Sequence, residues 1–515
     1  MASGYTRERY YSLGEGIYRV TARNDPQFPN GAFWDLENII YDQDSDNPEA
    51  MRGASRLGST DMGGTVSGLF DYNLGTAIAT CTDGKIYNYT GTDWAAESGA
   101  RATSNDGNIA TRWTGNMFYG ATTGQQLLVL CNGIDAPAKY NGTDVTNLGG
   151  SPPSTGNFPT PWQGKLWMAS GTLVHYSANS DCEEWGTGAG NISIYRGYDG
   201  NLTGLSAFAN NLIFFKRNSI YRMSPNTGFD LPNIRNVSSV IGCVNHNTIR
   251  EGGDGNTLYF MSNEGPKALV TSASHAGFRV IDMDRWIKPI AINANKDATN
   301  VAWAVWNQDR KEYYLHYCEG SASVPNRALI GNAARPRKAI RWTRFSLPDM
   351  TAGMQFSEGG TDYQQWIGDA QGRVYHMHQR AEHTFGGRVY RSVIKTPYHT
   401  QGIPENMKKY GWAFTDMDVD GPYEVTVNLQ MLRSGLPVTE GNKTQVAFIE
   451  ASDSVWGTGA WGEATWGGSG SQGQRIRPVK VARASGMGMQ MNVGRWFRLN
   501  GYVIASDLRR DIIAA

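Results

Sequence analysis

The sequence predicts an all-β protein built on a propeller of six or seven blades, with an additional β domain at its C-terminal end. Two observations carry this. First, Thr203 to Met223 reads as strand, Ala209-Asn210-Asn211 turn, strand, Arg217-Asn218-Ser219 turn, strand: short Ile-, Phe- and Tyr-rich runs bounded by turn residues. Degenerate copies occur at residues 83–89, 163–176, 256–261 and 372–377. If each of the two long gaps holds one more, the spacing is roughly 45–50 residues, the length of a propeller blade. A β unit too small to bury its own face, repeated at that length, argues for radial stacking. Second, the 515 residues include 62 Gly, 25 Tyr and 16 Trp and only 18% charged residues, a profile of short strands and tight turns. No long segment has a helical apolar period; residues 407–412 and 507–513 are the best short helix candidates.

In chain order, residues 1–65 read as an extended, polar lead-in. Turn clusters at Asn24-Asp25-Pro26, Pro29-Asn30-Gly31 and 42–48 surround one strand over 33–41. The propeller spans 66–377, in units at 68–94, 110–148, 161–176, 203–223, 256–270, 301–344 and 350–377. Residues 378–405 read as a linker. Residues 406–515 form the separate β domain, with strands over 413–419, 423–432, 446–451, 479–484 and 496–504. Within it Trp456, Trp461 and Trp466 lie in a Gly-rich loop, placed either to cap a sheet or to meet a partner.

Net charge is zero, so nothing global points to nucleic acid or membrane, and no apolar run is long enough to span a bilayer. Cys81, Cys131, Cys182, Cys243 and Cys318 are scattered and odd in number, which reads as buried free thiols rather than a disulfide framework. Residues 1–9 lack a signal-type apolar run, which points to synthesis in the cytosol.

The sequence carries no enzyme motif, and no catalytic, cofactor or metal site is expected: G-x-S-x-G, P-loop, H-E-x-x-H and dinucleotide fingerprints are all missing. Asp42, Asp44 and Asp46 have calcium-loop spacing, but Asn47 stands at the glycine position and Gly53 at the bidentate glutamate position, so a hairpin turn is the better reading. His376, His378 and His383 have no companion ligands and read as satisfied strand ends. Two basic stretches are more informative. Arg327, Arg335, Arg337, Lys338, Arg341 and Arg344 lie together without an acid, and so do Arg475, Arg477, Lys480, Arg483, Arg495 and Arg498. Solvated faces are the plain reading; phosphate or an acidic neighbouring subunit is the functional one. Arg335, Arg337, Lys338, Arg341, Arg475, Arg477 and Lys480, with the three loop tryptophans, are the candidates for a lumen or subunit interface.

Several segments, in this order, resemble the tail nozzle proteins of short-tailed bacteriophages, also called tail tube protein B or packaged-DNA stabilisation hub proteins. They are Asn24-Asp25-Pro26, Leu36-Glu37-Asn38-Ile39-Ile40, Ser180-Asp181-Cys182-Glu183-Glu184-Trp185 and Leu202-Thr203-Gly204-Leu205. Leu212 to Tyr221, Ile241-Gly242-Cys243 and Tyr259 to Gly265 continue the series. The resemblance runs from about residue 20 to the C-terminal strands and rests on order more than on any one motif. It implies a structural virion protein without catalysis, a homo-hexameric ring below the portal and tail adaptor. Viral double-stranded DNA would pass through the ring without sequence specificity, and fibres or tailspikes would dock outside. Competing readings are a receptor- or glycan-binding propeller, with Trp456, Trp461 and Trp466 stacking on sugars, and a propeller glycoside hydrolase using paired carboxylates.

Overall fold

Seven four-stranded antiparallel sheets form the blades of a propeller in the computed structural model, which describes residues 6–507 apart from 98–108, 110–111, 121–123, 195–198, 226–232, 273–276, 335–339, 347–348, 361, 380–383, 401–406, 420–422, 434–435, 450–471, 477–482 and 495. The innermost strands, in chain order, are Val66–Tyr72, Thr114–Tyr119, Asn157–Trp162, Leu202–Phe208, Arg250–Glu251, Trp303–Asn307 and Met350–Glu358. Each begins a blade and hairpins outward. The fourth blade shows why: Leu202–Phe208 turns at Ala209 and Asn210, both at positive φ, into Asn211–Lys216, which turns again into Ile220–Met223. Alternating apolar residues on both faces fill the seams between blades. Phe214 and Leu212 pack toward the third blade, while Phe215 and Ile213 pack toward the fifth.

Blade seven is completed from far away. Its inner three strands are Met350–Glu358, Asp362–Asp369 and Val374–Gln379, and its outer strand is Gly53–Leu57, paired antiparallel as Tyr375 with Arg56. The inner strands of blades seven and one then pack together and close the ring. This outer strand locks first and last blades covalently to the same stretch of chain.

The C-terminal region is a two-sheet β sandwich. One sheet contains Lys408–Val419, Phe497–Asp507, Gln472–Ile476 and Arg483–Ala484, extended by Thr6–Tyr10, Pro48–Ala50 and Ile39–Tyr41. The other contains Leu436–Ile449, Tyr423–Arg433, Gly486–Val493, Ser392–Lys395 and Asp35–Glu37, and runs on into blade six where Glu37 pairs in parallel with Arg344. Met487, Met489, Met491, Val427 and Leu429 face Tyr410, Met417, Leu499 and Ile504, and this core is continuous with the seam between blades five and six.

Residues 1–65 are therefore not a separate lead-in. From Thr6 onward they supply strands to both sandwich sheets and to blade seven, and the single strand expected over 33–41 is three short ones, Ala32–Phe33, Asp35–Glu37 and Ile39–Tyr41, split between sheets. The linker expected over 378–405 contains Thr384–Phe385 and Arg388–Val389 on blade seven and Ser392–Lys395 in the sandwich. The helix expected over 407–412 is the start of a twelve-residue strand, because Tyr410 and Ala413 face the core while Lys409 pairs with Asp507 across the sheet. The missed strand Gly486–Val493 alternates Met with Gly, Gln and Asn; its buried methionines fill the irregular space between sheets. All five cysteines are free and buried.

Candidate functional site

The seven inner strands surround an axial cavity of ≈ 470 Å³. Its wall draws Leu69, Asp71, Asn116, Met117, Ser206, Arg250, Trp306, Met354 and Gln355 from six of the blades, and Thr160 from the remaining one. Asp71 accepts the N–H groups of Gly75 (3.1 Å) and Ser357 (3.1 Å), and burial pushes its carboxyl above the usual range. His246 stacks on Phe158 at 4.6 Å and accepts the Leu205 N–H at Nδ1 (3.4 Å). Burial, aided by the Arg250 charge, pushes its pKa down to about 3, so the ring is neutral in the fold.

One end of the axis is crossed by a side chain. Arg112, just ahead of the second inner strand, donates to the carbonyls of Val301 (2.7 Å) and Thr351, just ahead of the sixth strand and early in the seventh. Blades two and six lie three places apart in a ring of seven, so this link spans the centre. Arg112 is 5% exposed, and burial lowers its pKa to about 9. Nothing in the sequence around Arg112 or Arg250 marks either residue, because their role comes from which blades surround them.

The sequence-derived basic residues are scattered. Arg341 is 5% exposed: it pairs with Asp46 (2.7 Å), donates to Asn332 (2.7 Å) and lies over the Tyr41 ring at 4.7 Å. As a lumen or subunit contact it is corrected, since its charge is already answered by the N-terminal segment. Arg344 pairs with Asp35 and Glu37 at 3.4 and 3.5 Å, and Arg327 pairs with Glu319 at 3.1 Å. Arg498 pairs with Asp418 (2.6 Å) and Asp42 (3.3 Å). The runs look acid-free only along the chain, and their balancing carboxylates come from outside them. Glu319 lies just ahead of Arg327, Asp418 lies within the C-terminal region, and Asp35, Glu37, Asp42 and Asp46 come from some three hundred residues or more away. Arg475 lies on the strand Gln472–Ile476, opposite Phe414. Arg335, Arg337, Lys338, Arg477, Lys480, Trp456, Trp461 and Trp466 lie outside the described residues.

The aspartate triplet at 42–46 is a turn. Asp42 accepts both the N–H and the hydroxyl of Ser45 (3.0 and 2.6 Å) and pairs with Arg498, while Asp46 pairs with Arg341. His378 Nε2 meets the Tyr314 hydroxyl at 3.0 Å, and burial holds the ring neutral; His383 lies outside the described residues. Among the described residues no group of three or more His, Cys, Asp or Glu side chains is arranged to hold a metal ion, and no helix is long and apolar enough to cross a membrane.

These features define a β-propeller module fused to a β sandwich through a shared N-terminal segment. No family model matches the chain, and no curated protein matches it. Among solved structures it is similar to a chain of the crystal structure of the mitotic checkpoint complex (10% identity, 64% of this chain and 93% of that one, TM-score 0.42). It is also similar to the WD40 β-propeller domain of Doa1 (11% identity, 64% and 98%, TM-score 0.40). A third is the extracellular domain of the putative hybrid two-component system BT4673 from B. thetaiotaomicron (9% identity, 70% and 43%, TM-score 0.42). Likeness at this level carries no function; the propeller assignment rests on the chain's own seven blades.

Proposed function

We propose that this protein is a structural subunit of a short-tailed bacteriophage tail nozzle. Several copies, six by family resemblance, assemble as a ring below the portal and adaptor, retain and then conduct the genome, and carry fibres or tailspikes on the outside. The observation that carries the reading is where the ordered motifs fall. Leu36 to Ile40 lies in the segment that stitches the sandwich to blade six, Leu212 to Tyr221 forms a hairpin of blade four, and Ile241 to Cys243 leads into blade five. The motifs thus fall in several blades and in the segment that joins the two modules, not in one repeat.

The axis of a single propeller does not serve as the conduit. Arg112 crosses it, and the cavity is far too small for a duplex whose major groove alone is about 12 Å wide. A DNA channel in this reading lies between copies of the chain. Zero net charge suits that role, because many firm phosphate contacts would hold the genome back.

The test is assembly. Purified protein is examined by light scattering and negative-stain imaging, alone and with the cognate adaptor. Six-membered rings with an open centre are expected in at least one condition; monomers throughout would overturn the reading.

A further inference from the structure

Among the described residues Arg250 is a cation without a counter-charge. It projects from the two-residue inner strand of blade five onto the axial cavity, and its one described hydrogen bond goes to the carbonyl of its own neighbour, Ile249 (2.6 Å). Among the described residues no carboxylate lies within ion-pair distance of it. That sets it apart from Arg310, Arg341, Arg344 and Arg498, each of which meets at least one Asp or Glu. Burial lowers its pKa.

Other groups on the cavity wall are donors. Asn116 uses its side-chain oxygen on the Met117 N–H (3.0 Å), and Gln355 uses its own on the Gln308 N–H (3.1 Å). In each, the amide NH2 remains to donate. Asn247 and Ser206 add further polar groups, while Leu69, Met117, Trp306 and Met354 supply apolar wall. His246, beside Arg250, is neutral, so it adds no charge to the site. Among the described residues the only acidic side chain on the wall, Asp71, has both oxygens engaged by backbone N–H groups. A cavity of ≈ 470 Å³ is within the usual range for small-molecule sites. Arg112 bridges the end where the inner strands begin, so entry is from the other face.

We propose that the propeller axis is a binding site for a small molecule bearing an oxyanion, a carboxylate or a phosphate ester, with the anionic group on Arg250 and the Asn116 and Gln355 amides donating to the molecule from other parts of the wall. A guanidinium suits such a group because its planar fork matches two oxygens at once. The inference goes beyond ring assembly and does not depend on it.

Calorimetric titration of the intact protein at low salt tests this, with inorganic phosphate, citrate and glucuronate as probes and glucose as the neutral control. Saturable binding of at least one anion with Kd below about 1 mM, and none of glucose, is expected. Phosphate alone binding points to a phosphate ester, and citrate or glucuronate alone to a carboxylate. Arg250→Met weakens binding by at least about tenfold, the loss of one charged contact. Ser206→Phe, which fills the cavity and leaves Arg250 in place, does the same and decides the matter if the first variant fails to fold. No saturable binding of any anion to the wild-type protein, or unchanged affinity in the folded variants, overturns the proposal.

Discussion

Blades one to four and the sandwich are both antiparallel β structure, yet they are held together in opposite ways. In blades one to four every strand pairs with its neighbour in sequence, and each seam is filled by residues of adjacent repeats. In the sandwich and blades six and seven, sheets are completed by strands from the other end of the chain: Thr6–Tyr10 on Phe497–Asp507, Asp35–Glu37 between blade six and Ser392–Lys395, and Gly53–Leu57 on blade seven. The N-terminal segment is therefore a structural strap. Its carboxylates are placed where the later basic residues need them.

Removing the strap is the strongest way to break that contrast. A chain starting after residue 57 loses the outer strand of blade seven and strands in both sandwich sheets, and is expected to show no cooperative thermal transition by circular dichroism. A native-like melt in that variant would make the strap dispensable. Next comes the junction beneath it. Glu312 is fully buried and accepts from Arg310 (3.0 Å), Tyr314 (2.7 Å) and Asn332 (3.0 Å), while Arg310 reaches back to the Tyr41 carbonyl (2.8 Å). Glu312→Ala leaves a buried arginine short of its main partner and is expected to cost about 3–5 kcal/mol in urea unfolding.

Phe214→Ala tests the local side of the comparison. It opens a hole in the seam between blades three and four and is expected to cost about 3–5 kcal/mol, with a smaller loss if the neighbouring repeats close over it. Equal losses at Glu312 and Phe214 would mean that strap and seam contribute comparably.

Acid acts on both regions. His246 and His316 in the propeller and His399 in the sandwich are each pushed down to about 3 by burial, whereas an unfolded histidine titrates near about 6.5. Between those values the unfolded chain binds more protons than the fold. Stability is therefore complete above about pH 6.5 and falls steadily as pH drops toward 3. Denaturation midpoints measured from pH 7 to pH 4 check this, and a flat profile would contradict it. The smallest effect is expected at Arg327, whose pair with Glu319 is half-exposed: Arg327→Ala changes stability by less than about 1 kcal/mol.

The repeated hairpins were legible because their information is local. Short alternating apolar runs and turn residues specify a blade within some forty residues, so the propeller units could be located from pattern, while their number stayed at six or seven and the outer strand of the last one, Gly53–Leu57, was read as lead-in. The sandwich was legible only as strands. Its methionine strand, Gly486–Val493, alternates small and flexible residues whose burial depends on the opposite sheet, and its helix-like start at 408 is decided by pairing with Phe497–Asp507.

What the amino-acid order determined by itself is therefore the blade: its length, its turns and its apolar faces, all set by near-neighbour chemistry. Which strand closes the ring, which carboxylate answers Arg341 or Arg498, and why no described carboxylate reaches Arg250 were decided only in three dimensions. Charge pairing and sheet completion depend on distance in space, and the partners here are separated by up to several hundred residues of chain.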